Sequence, residues 1–342
     1  MKRRRFRSKV EEILPGVHRL VLPLPGRRPG PVNAYLFTGD NVTLVDTGTA
    51  QALPYLLKGL KGLGLCASDI DRIVLTHGHL DHYGCARALL AQPGARAGVL
   101  ASPYDEKAVA TGKDVSRLAT ERFLKLAGAP LAMRAGLLLV SVVFGYMAQS
   151  VPVTGFLQDG DEIVAGKYRL KVLETPGHTR GSLCLHLEEE GVVFSGDHVL
   201  AHVTPNALVA VEEDSATPRR RVQQEFYDSL ARIEGLQPRL TCPGHGRLIR
   251  DLPRVADMYR RLFAERQEKT LAIFRRRERT VYEAARELFP GIRRDARLPL
   301  ELFLSISEVY THVQELSEQG LVHTRIKRKR LLVNGSDHGH RA

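Results

Sequence analysis

Cysteine is scarce in this chain of 342 residues. The four cysteines, Cys66, Cys85, Cys184 and Cys242, form no CxxC pair and follow no regular spacing. A disulfide framework and a thiolate zinc site both need such spacing, so the sequence argues against both kinds of site. We therefore expect a protein of the reducing cytoplasm.

The sequence also lacks a long apolar run. The longest, residues 136–148, contains Ser141 and two glycines and is too short to cross a hydrocarbon core of about 30 Å. The basic N-terminus is followed by Glu11 and Glu12, where a secretory signal would have its apolar stretch. We expect no membrane span and no export signal, and we expect residues 136–148 to form a buried or pocket-lining helix.

Positive charge is concentrated near the two ends of the chain. The formal net charge is +12, residues 1–9 carry six Lys or Arg and no acidic residue, and a second basic excess follows position 246. Clustered cations favour polyanionic partners because binding releases counterions. A basic surface that only keeps the protein soluble explains the same charge equally well.

Strand-like and helix-like patterns alternate up to about residue 250. The sequence predicts β-strands, bounded by turn residues, at 17–22, 32–38, 42–45, 72–75, 168–174, 182–187, 192–195 and 239–242. It predicts helices at 51–63, 83–91 and 218–233. Two β-rich halves that each end in helices predict an α/β protein in which two sheets pack face to face under helices.

The pattern predicts four regions along the chain. These are a basic tail (1–10), a main domain (11–252) with a helical insertion (102–150), a helical domain (253–333) with a basic strand pair at 322–333, and a polar tail (334–342). The insertion is predicted to hold helices at 103–110, 116–127 and 130–147, and the helical domain to hold helices at 253–279, 281–288 and 300–319. The polar tail is expected to be disordered.

The six-residue segment 77–82, just after the predicted strand 72–75, is rich in metal-binding side chains. His77, His79, Asp81 and His82 place three imidazoles and one carboxylate within this segment. Imidazole nitrogen and carboxylate oxygen suit zinc and other borderline divalent ions. A solvated polar loop has no reason to use histidine three times, so the segment predicts a metal site.

Four other predicted strands end in a His or an Asp beside a glycine. These residues are Asp46, His178, Asp197 and His245. Taken singly, each is typical of a solvated turn or a helix cap. Together with residues 77–82, they indicate strand ends that converge on one centre.

This ordered set of residues resembles the metallo-β-lactamase-fold hydrolases, over about residues 11–250. The resemblance implies an αββα sandwich with two divalent metal ions in a groove at its edge. It implies that His77, His79 and His178 hold the first metal, that Asp81, His82 and His245 hold the second, that Asp197 bridges them, and that Asp46 hydrogen-bonds near the site.

The chemistry that the resemblance implies is hydrolysis. A hydroxide bridging two cations has its pKa lowered into the neutral range and acts as the nucleophile. Asp81 would be the catalytic residue that orients the hydroxide or accepts its proton, while the metals hold the developing oxyanion. Zinc is expected by default, although the same ligands accept iron or manganese.

Two positions narrow the choice among the branches of this family. Asp197 stands where true β-lactamases of this fold typically have Cys or Ser, which disfavours β-lactam hydrolysis. His79 stands where the flavodiiron oxygen reductases use Glu, which disfavours iron redox chemistry. Among the remaining branches, the sequence is similar to the glyoxalase II-like and β-lactamase-like protein 2 branches. The preferred substrate is a small acyl ester or thioester, such as a hydroxyacylglutathione-like molecule.

The C-terminal region leads to an alternative function. Its helices and basic hairpin resemble the small winged-helix domain of β-lactamase-like protein 2 relatives, which include a single-strand RNA endonuclease. Candidate phosphate contacts are Arg325, Lys327, Arg328, Lys329 and Arg330. The same charge can simply blunt an edge strand, and no aromatic stacking motif accompanies it. An endoribonuclease is the alternative, and a non-catalytic binding protein is disfavoured because no ligand position is missing.

The insertion is unusually apolar. Phe123, Leu124, Leu126, Leu131, Met133 and most residues of 137–147 supply more apolar surface than one amphipathic face needs. This surface can roof the metal groove as a substrate pocket, form an interface in a homo-oligomer, or belong to a core. The sequence leaves these three interpretations open, as it does the natural substrate.

Overall fold

The computed structural model describes residues 9–24, 29–112, 117–145, 149–205, 209, 217–291 and 298–336. The chain divides into two units. The first comprises Met1–Asp114, Gly145–Pro205 and Asp228–Val255, and the second comprises Val115–Phe144, Asn206–Tyr227 and Ala256–Ala342. Residues 1–8 of the predicted basic tail and residues 337–342 of the predicted polar tail lie outside the described residues.

The first unit contains a seven-stranded and a five-stranded sheet. The seven strands lie in the order β1 (Lys9–Leu14), β2 (Val17–Leu22), β3 (Val32–Phe37), β4 (Thr43–Val45), β5 (Arg72–Val74), β6 (Gly98–Ala101) and β7 (Gly155–Phe156). Pairing is antiparallel as far as β4 and parallel from β4 to β7.

The five-stranded sheet is antiparallel except for its last pair. Its strands are β8 (Glu162–Ala165), β9 (Tyr168–Glu174), β10 (Leu183–Leu187), β11 (Val192–Gly196) and β12 (Leu240–Pro243), in the spatial order β12-β11-β10-β9-β8. The pair β11 and β12 is parallel. Parallel pairing matters for the site, because loops that follow parallel neighbours leave the sheet at the same edge.

Ten helices are described along the chain. They are α1 (Leu53–Gly62), α2 (Leu80–Tyr83), α3 (Ala86–Leu90), α4 (Glu106–Thr111), α5 (Arg117–Leu126), α6 (Leu131–Gly145), α7 (Val222–Gly235), α8 (Leu252–Arg276), α9 (Val281–Leu288) and α10 (Leu298–Glu318). None of the helices in the described part of the chain combines the length and the apolar character that a bilayer crossing requires.

The two sheets of the first unit pack face to face. Tyr35 and Phe37 of β3 contact Phe194 of β11 edge to face, with ring centroids 5.0 and 5.2 Å apart. The opposite face of the seven-stranded sheet is covered by α1 and α3, whose Leu56 and Leu89 are buried. Arg232 in the last part of α7 donates a hydrogen bond to the carbonyl of Glu174 at the end of β9 (3.2 Å). The predicted αββα sandwich is therefore confirmed.

The second unit has its own core. Residues 256–276 of α8, together with α9 and α10, pack with a three-stranded antiparallel sheet in the order β13 (Arg279–Thr280), β15 (Arg330–Gly335), β14 (Val322–Lys327). A capping box starts α9, because Thr280 accepts a hydrogen bond from the amide of Glu283 (3.2 Å) and donates its own amide to the Glu283 carboxylate (2.8 Å). The winged-helix assignment of this region stays a prediction.

Part of the predicted insertion belongs to this second core. Phe123 of α5 is fully buried and packs edge to face on Tyr310 of α10, with ring centroids 5.3 Å apart. Leu124, Leu126 and Met133 are buried in the same cluster. These side chains therefore form a core. On α6, Leu131 and Leu139 remain exposed, and the side chains of 141–148 lie outside the described residues.

The boundaries of the units differ from the predicted regions. Residues 102–114 of the insertion belong to the first unit and 115–144 to the second, and the second unit also takes residues 206–227. The apolar face of α5 explains the first difference, because it is buried together with α9 and α10. The predicted functions of the regions stay predictions.

One helix start and several strands differ from the sequence prediction. The helix predicted to begin at 83, after the metal-binding motif, is preceded by α2, which contains Asp81 and His82. The short or edge strands β1, β6, β7, β8 and β13 were not predicted. In β1 the alternation of exposed and half-buried residues is weak, because it lies at the edge of its sheet.

A histidine buried in the second unit predicts acid sensitivity. Burial, together with the nearby Arg266 cation, lowers the pKa of His312 to about 3. Its Nε2 lies 4.0 Å from the Glu308 carboxylate, its ring packs near Phe263, and neither ring nitrogen has a hydrogen-bond partner among the described residues. An unfolded histidine binds its proton near pH 6.5, so between about pH 6.5 and 3 the unfolded state holds more protons.

We expect the free energy of unfolding to fall as the pH falls through this window, and His312→Leu to remove roughly 2–3 kcal/mol of the loss between about pH 7 and pH 4.5. Urea denaturation at both pH values measures it. His323→Leu, at an exposed position of β14, is the matched control and should keep the wild-type pH dependence. An unaltered pH dependence in His312→Leu would show that this histidine does not limit acid stability.

Candidate metal centre

Asp46 connects the ends of two parallel strands. Val45 pairs with Val74, so the segments that follow β4 and β5 leave the sheet side by side. The Asp46 carboxylate accepts hydrogen bonds from the Thr76 amide (2.9 Å), the Thr76 hydroxyl (2.8 Å) and His82 Nδ1 (2.8 Å). Asp46 adopts a left-handed conformation (φ 58°), which Asp tolerates better than most residues. One buried carboxylate thus orients both the start and the end of the 76–82 segment.

These hydrogen bonds also orient the imidazole rings. Because the Thr76 hydroxyl donates to Asp46, it is an acceptor for His77 Nδ1, 3.0 Å away. The Nε2 atom of His77 then faces His79. In His82, the Nδ1 bond to Asp46 leaves Nε2 pointing toward Asp197, 3.5 Å from its Oδ1. In both rings the nitrogen opposite the one held by Thr76 or Asp46 faces the centre, as metal-binding histidines require.

His77, His79 and His178, which we call the first ligand group, bring three ring nitrogens together. His79 Nδ1 lies 3.0 Å from both His77 Nε2 and His178 Nε2. Nitrogens bound tetrahedrally to zinc at about 2.0–2.1 Å lie about 3.3 Å apart, so the spacing fits a shared cation. Burial, with the neighbouring imidazoles, lowers the pKa of His77 well below its usual value and that of His178 to about 3. The His77 and His178 rings are therefore neutral, which is the metal-binding form.

Asp81, His82 and His245 form the second ligand group. His245 Nε2 lies 3.3 Å from Asp81 Oδ2, while its Nδ1 lies 3.0 and 3.1 Å from the carbonyls of Gly30 and Pro31, to which it donates. Burial opposes a charge on His245, but the carboxylates of Asp197 and Asp81 outweigh it and raise its pKa to about 10. The pKa of His82 is raised in the same way. Protons and metal cations are alternative partners for these carboxylates.

Asp197 lies between the two ligand groups. It follows β11, and β11 pairs in parallel with β12, which His245 follows, so both side chains emerge at one edge. Asp197 Oδ2 is 3.3 Å from His245 Nε2 and 3.9 Å from His178 Nε2, while Oδ1 is 3.5 Å from His82 Nε2. A carboxylate that lies close to ligand atoms of both groups has the arrangement of a bridging ligand.

Unsatisfied buried atoms test whether these residues fit metal ions. Among the described residues, Asp197 Oδ1, His82 Nε2 and His245 Nε2 are buried and have no hydrogen-bond partner. Such atoms are costly without a partner, and a divalent cation would satisfy all three. Within the first ligand group, the three ligand atoms lie within 4.8 Å of one another, and the same holds within the second ligand group. It also holds for a third set, which is His77, His82 and Asp197. The donor set therefore fits two divalent cations.

Glycine next to the ligands makes this crowding feasible. A Cβ atom at Gly244 would collide with the Asp197 carboxylate and approach His82 Cε1 to 2.8 Å. Gly196 adopts φ 48°, and a Cβ there would lie 2.8 Å from Thr76 Cβ. The glycines that mark the strand ends in the sequence thus let the ligand segments touch.

The structure brings together all seven predicted ligands and Asp46, whereas their role as ligands stays a prediction. Sequence reasoning did not assign Thr76, although it directly precedes His77. It also did not assign Asp105, whose carboxylate accepts hydrogen bonds from two ligand-bearing loops. Nothing in the sequence around Asp105 distinguishes it from an ordinary helix cap.

The predicted phosphate contacts lie in the second unit. Arg325 forms two 2.7 Å hydrogen bonds with the Glu278 carboxylate, so its charge is compensated. The side chains of Lys327, Arg328, Lys329 and Arg330 are exposed at the turn between β14 and β15.

A two-sheet sandwich with His and Asp side chains gathered at its strand ends is the architecture of a class of metal-dependent hydrolases. Residues 27–245 match the sequence model of the metallo-beta-lactamase superfamily. The chain belongs to this superfamily, and it is a metal-dependent hydrolase.

Three relatives illustrate the match. The chain is 26% identical over 295 residues to "Probable metallo-hydrolase YqjP" of Bacillus subtilis, which covers 85% of this chain and 89% of that protein. A crystal structure of a metallo-beta-lactamase family protein from Thermus thermophilus aligns with a TM-score of 0.78 and 28% identity, over 95% of this chain and all of the other. The human "Acyl-coenzyme A thioesterase MBLAC2" is 48% identical over 54 residues, which are 16% of this chain and 19% of that protein.

The geometry predicts the metal content of the protein. We expect two divalent ions per chain by elemental analysis, and about one in His178→Ala or His245→Ala. The content should be strongly reduced in Asp197→Ala, because Asp197 contacts both ligand groups. His18→Ala, on β2 and away from the ligands, is the control and should keep both ions. A wild-type protein that binds no divalent ion would contradict the metal site.

Proposed function

We propose that this protein hydrolyses a small ester or thioester at a dinuclear metal site. The observation that carries the proposal is the position of Asp197 between two His-rich ligand groups. Among the described residues, its Oδ1 and the Nε2 atoms of His82 and His245 are buried without a hydrogen-bond partner. A structural metal site needs one closed set of four ligands and would not divide its ligands in this way.

The proposed roles of the residues are as follows. The first ion is held by His77, His79 and His178, the second by Asp81, His82 and His245, and Asp197 contacts both. Zinc is the proposed metal, because neutral imidazole and carboxylate ligands suit it. When bound, two such ions lower the pKa of a shared water into the neutral range and polarise the substrate carbonyl.

Asp81 is the proposed catalytic carboxylate. With 18% of its side chain exposed, it is more accessible than Asp197, at 8%, or His82, which is fully buried. Burial opposes its ionisation, but His82 and His245 outweigh burial and hold the pKa of the Asp81 carboxyl well below its usual value. It is therefore ionised and can accept a hydrogen bond from a water molecule, which orients that water for attack on the acyl carbon.

The acyl substrate class has support from a relative. The human protein that shares 48% identity over 54 residues is named an acyl-coenzyme A thioesterase. A thioester carbonyl is a more electrophilic target than an amide, and a thiolate leaves without needing a strong general acid. A hydroxyacylglutathione-like or acyl-coenzyme A-like thioester is accordingly the first substrate to test.

Thioester turnover is expected from the metal-loaded protein. We expect thiol release, followed with a thiol-reactive dye, to be lost after exhaustive chelation and restored by added Zn²⁺. Asp81→Asn should lower kcat about 10²-fold or more, because a neutral amide replaces the ionised carboxylate that orients the water and contacts the second ion. His18→Ala serves as the control, with unchanged kcat and KM. Full turnover after chelation would exclude a metal-dependent mechanism.

A second candidate function is cleavage of single-stranded RNA at the same site. The observation that favours it is the exposed turn of the second unit, where Arg328 and Lys329 both adopt left-handed conformations (φ 50° and 64°). Such turns prefer Asn-Gly, and left-handed backbone costs roughly 1–2 kcal/mol in other residues. Two cations retained at strained positions indicate a use for their charge.

RNA binding separates the two functions. If RNA is the substrate, the double variant Arg328→Ala/Arg330→Ala should weaken binding of a single-stranded RNA roughly 10-fold and lower its salt dependence. Fluorescence anisotropy at several salt concentrations measures both effects. Arg325→Ala is the matched control, because Glu278 already compensates Arg325. Thioester turnover that is unaffected by the double variant, with no RNA binding, would leave the acyl hydrolase as the function.

The cellular setting also stays a proposal. All four cysteines are free thiols, which is compatible with the proposed cytoplasmic location. A homo-oligomer stays a prediction from the apolar insertion.

A further inference from the structure

Asp105 occupies a helix-capping position but does not cap the helix. It directly precedes α4, where an Asp side chain usually accepts a hydrogen bond from an amide of the first turn. Here no such bond is made. The side chain is 5% exposed and turns away from α4 toward the metal centre.

The Asp105 carboxylate holds two ligand-bearing loops. Its Oδ2 accepts hydrogen bonds from the Gly78 amide (2.7 Å) and the Thr179 hydroxyl (2.9 Å), and its Oδ1 accepts one from the Gly181 amide (3.2 Å). Gly78 lies between His77 and His79, whereas Thr179 immediately follows His178. A single carboxylate therefore joins the two segments that supply the whole first ligand group.

The fit around Asp105 is close. A Cβ atom at Gly181 would lie 2.5 Å from Asp105 Cγ, and one at Gly78 would lie 3.1 Å from Asp105 Cβ. Tyr104, which precedes Asp105, makes a second contact with the loop that follows His178. The Arg180 guanidinium stacks over the Tyr104 ring, 4.2 Å from its centroid. The loop before α4 is thus built against the loop that carries His178.

The second ligand group is oriented by other residues. His82 is bound through Nδ1 to Asp46, and His245 through Nδ1 to the carbonyls of Gly30 and Pro31. The structure gives Asp105 no hydrogen bond to these residues. A loss of the Asp105 contacts should therefore affect the two ligand groups unequally.

We propose that Asp105 is a positioning residue that fixes the spacing of His77, His79 and His178 and so sets the affinity of the first metal ion. The inference rests on the proposed dinuclear site. Replacement by Asn removes the negative charge and gives one of the two carboxylate positions to an NH₂ group, which cannot accept from a backbone amide. Loss of a residue that orients ligands typically costs 10- to 100-fold in metal affinity.

The test is a Co²⁺ titration of the full-length, metal-depleted protein, followed by the visible spectrum and by competition with a chelating dye. In Asp105→Asn we expect one of the two ions to bind about 10- to 100-fold more weakly and the other within about threefold of wild type. The weakened ion must be the one lost in His178→Ala, not the one lost in His245→Ala. Asp69→Asn is the matched control, because Asp69 accepts hydrogen bonds only from nearby Cys66.

Each outcome decides the inference. Unchanged affinity for both ions in Asp105→Asn overturns it, and so does an equal weakening of both ions accompanied by a lower melting temperature, which would show a general structural role. If Asp105→Asn does not fold, Thr179→Val, which removes one of the three bonds, must weaken the first ion selectively, and no change there also overturns the inference. A wild-type protein that binds no Co²⁺ overturns the proposed metal site itself.

Discussion

The burial of Asp197 between imidazoles is the constraint on which the rest of the first unit depends. A carboxylate that is only 7% exposed is costly to remove from water unless positive charge surrounds it. That charge can come only from segments that meet at one edge of two sheets. The parallel pairs β4–β5 and β11–β12 bring these segments together, because each pair ends in two loops that leave the sheet side by side. The strands of the sandwich thus position the loops whose imidazoles and carboxylates surround Asp197.

Three of the histidines are oriented from outside the cluster, each by a different kind of partner. His82 is held by a carboxylate, His77 by the Thr76 hydroxyl, and His245 by backbone carbonyls. These partners fix which ring nitrogen faces inward, so the geometry of the ligands is set before a cation binds. Preorganisation of this kind reduces the entropy lost on binding.

The sequence predicted the candidate ligands that the structure brings together, but not all of the groups that orient them. His77, His79, Asp81 and His82 are recognisable because four metal-binding side chains within six residues have little other use. The single residues were found because each follows a strand and adjoins a glycine. Asp105 was missed because its role depends on where β6 ends in space, and that four-residue strand has no clear alternation in its sequence. The apolar insertion illustrates the same limit. Its composition predicted an apolar surface that could be a roof, an interface or a core, and only the tertiary structure shows that Phe123 packs on Tyr310 in a core.

The charges of the centre link metal binding to protons. Asp197 and Asp81 raise the pKa of His245 to about 10, and carboxylates also raise that of His82, so in neutral solution these two imidazoles hold protons that offset the buried carboxylates. A divalent cation brings the same kind of charge and must displace those protons, because a protonated imidazole has no lone pair to donate. The first ligand group differs, since burial and mutual repulsion already keep His77 and His178 neutral. His77 and His178 can therefore bind a cation without releasing protons, whereas His82 and His245 exchange protons for their cation. The two ligand groups are chemically unequal even though they share Asp197.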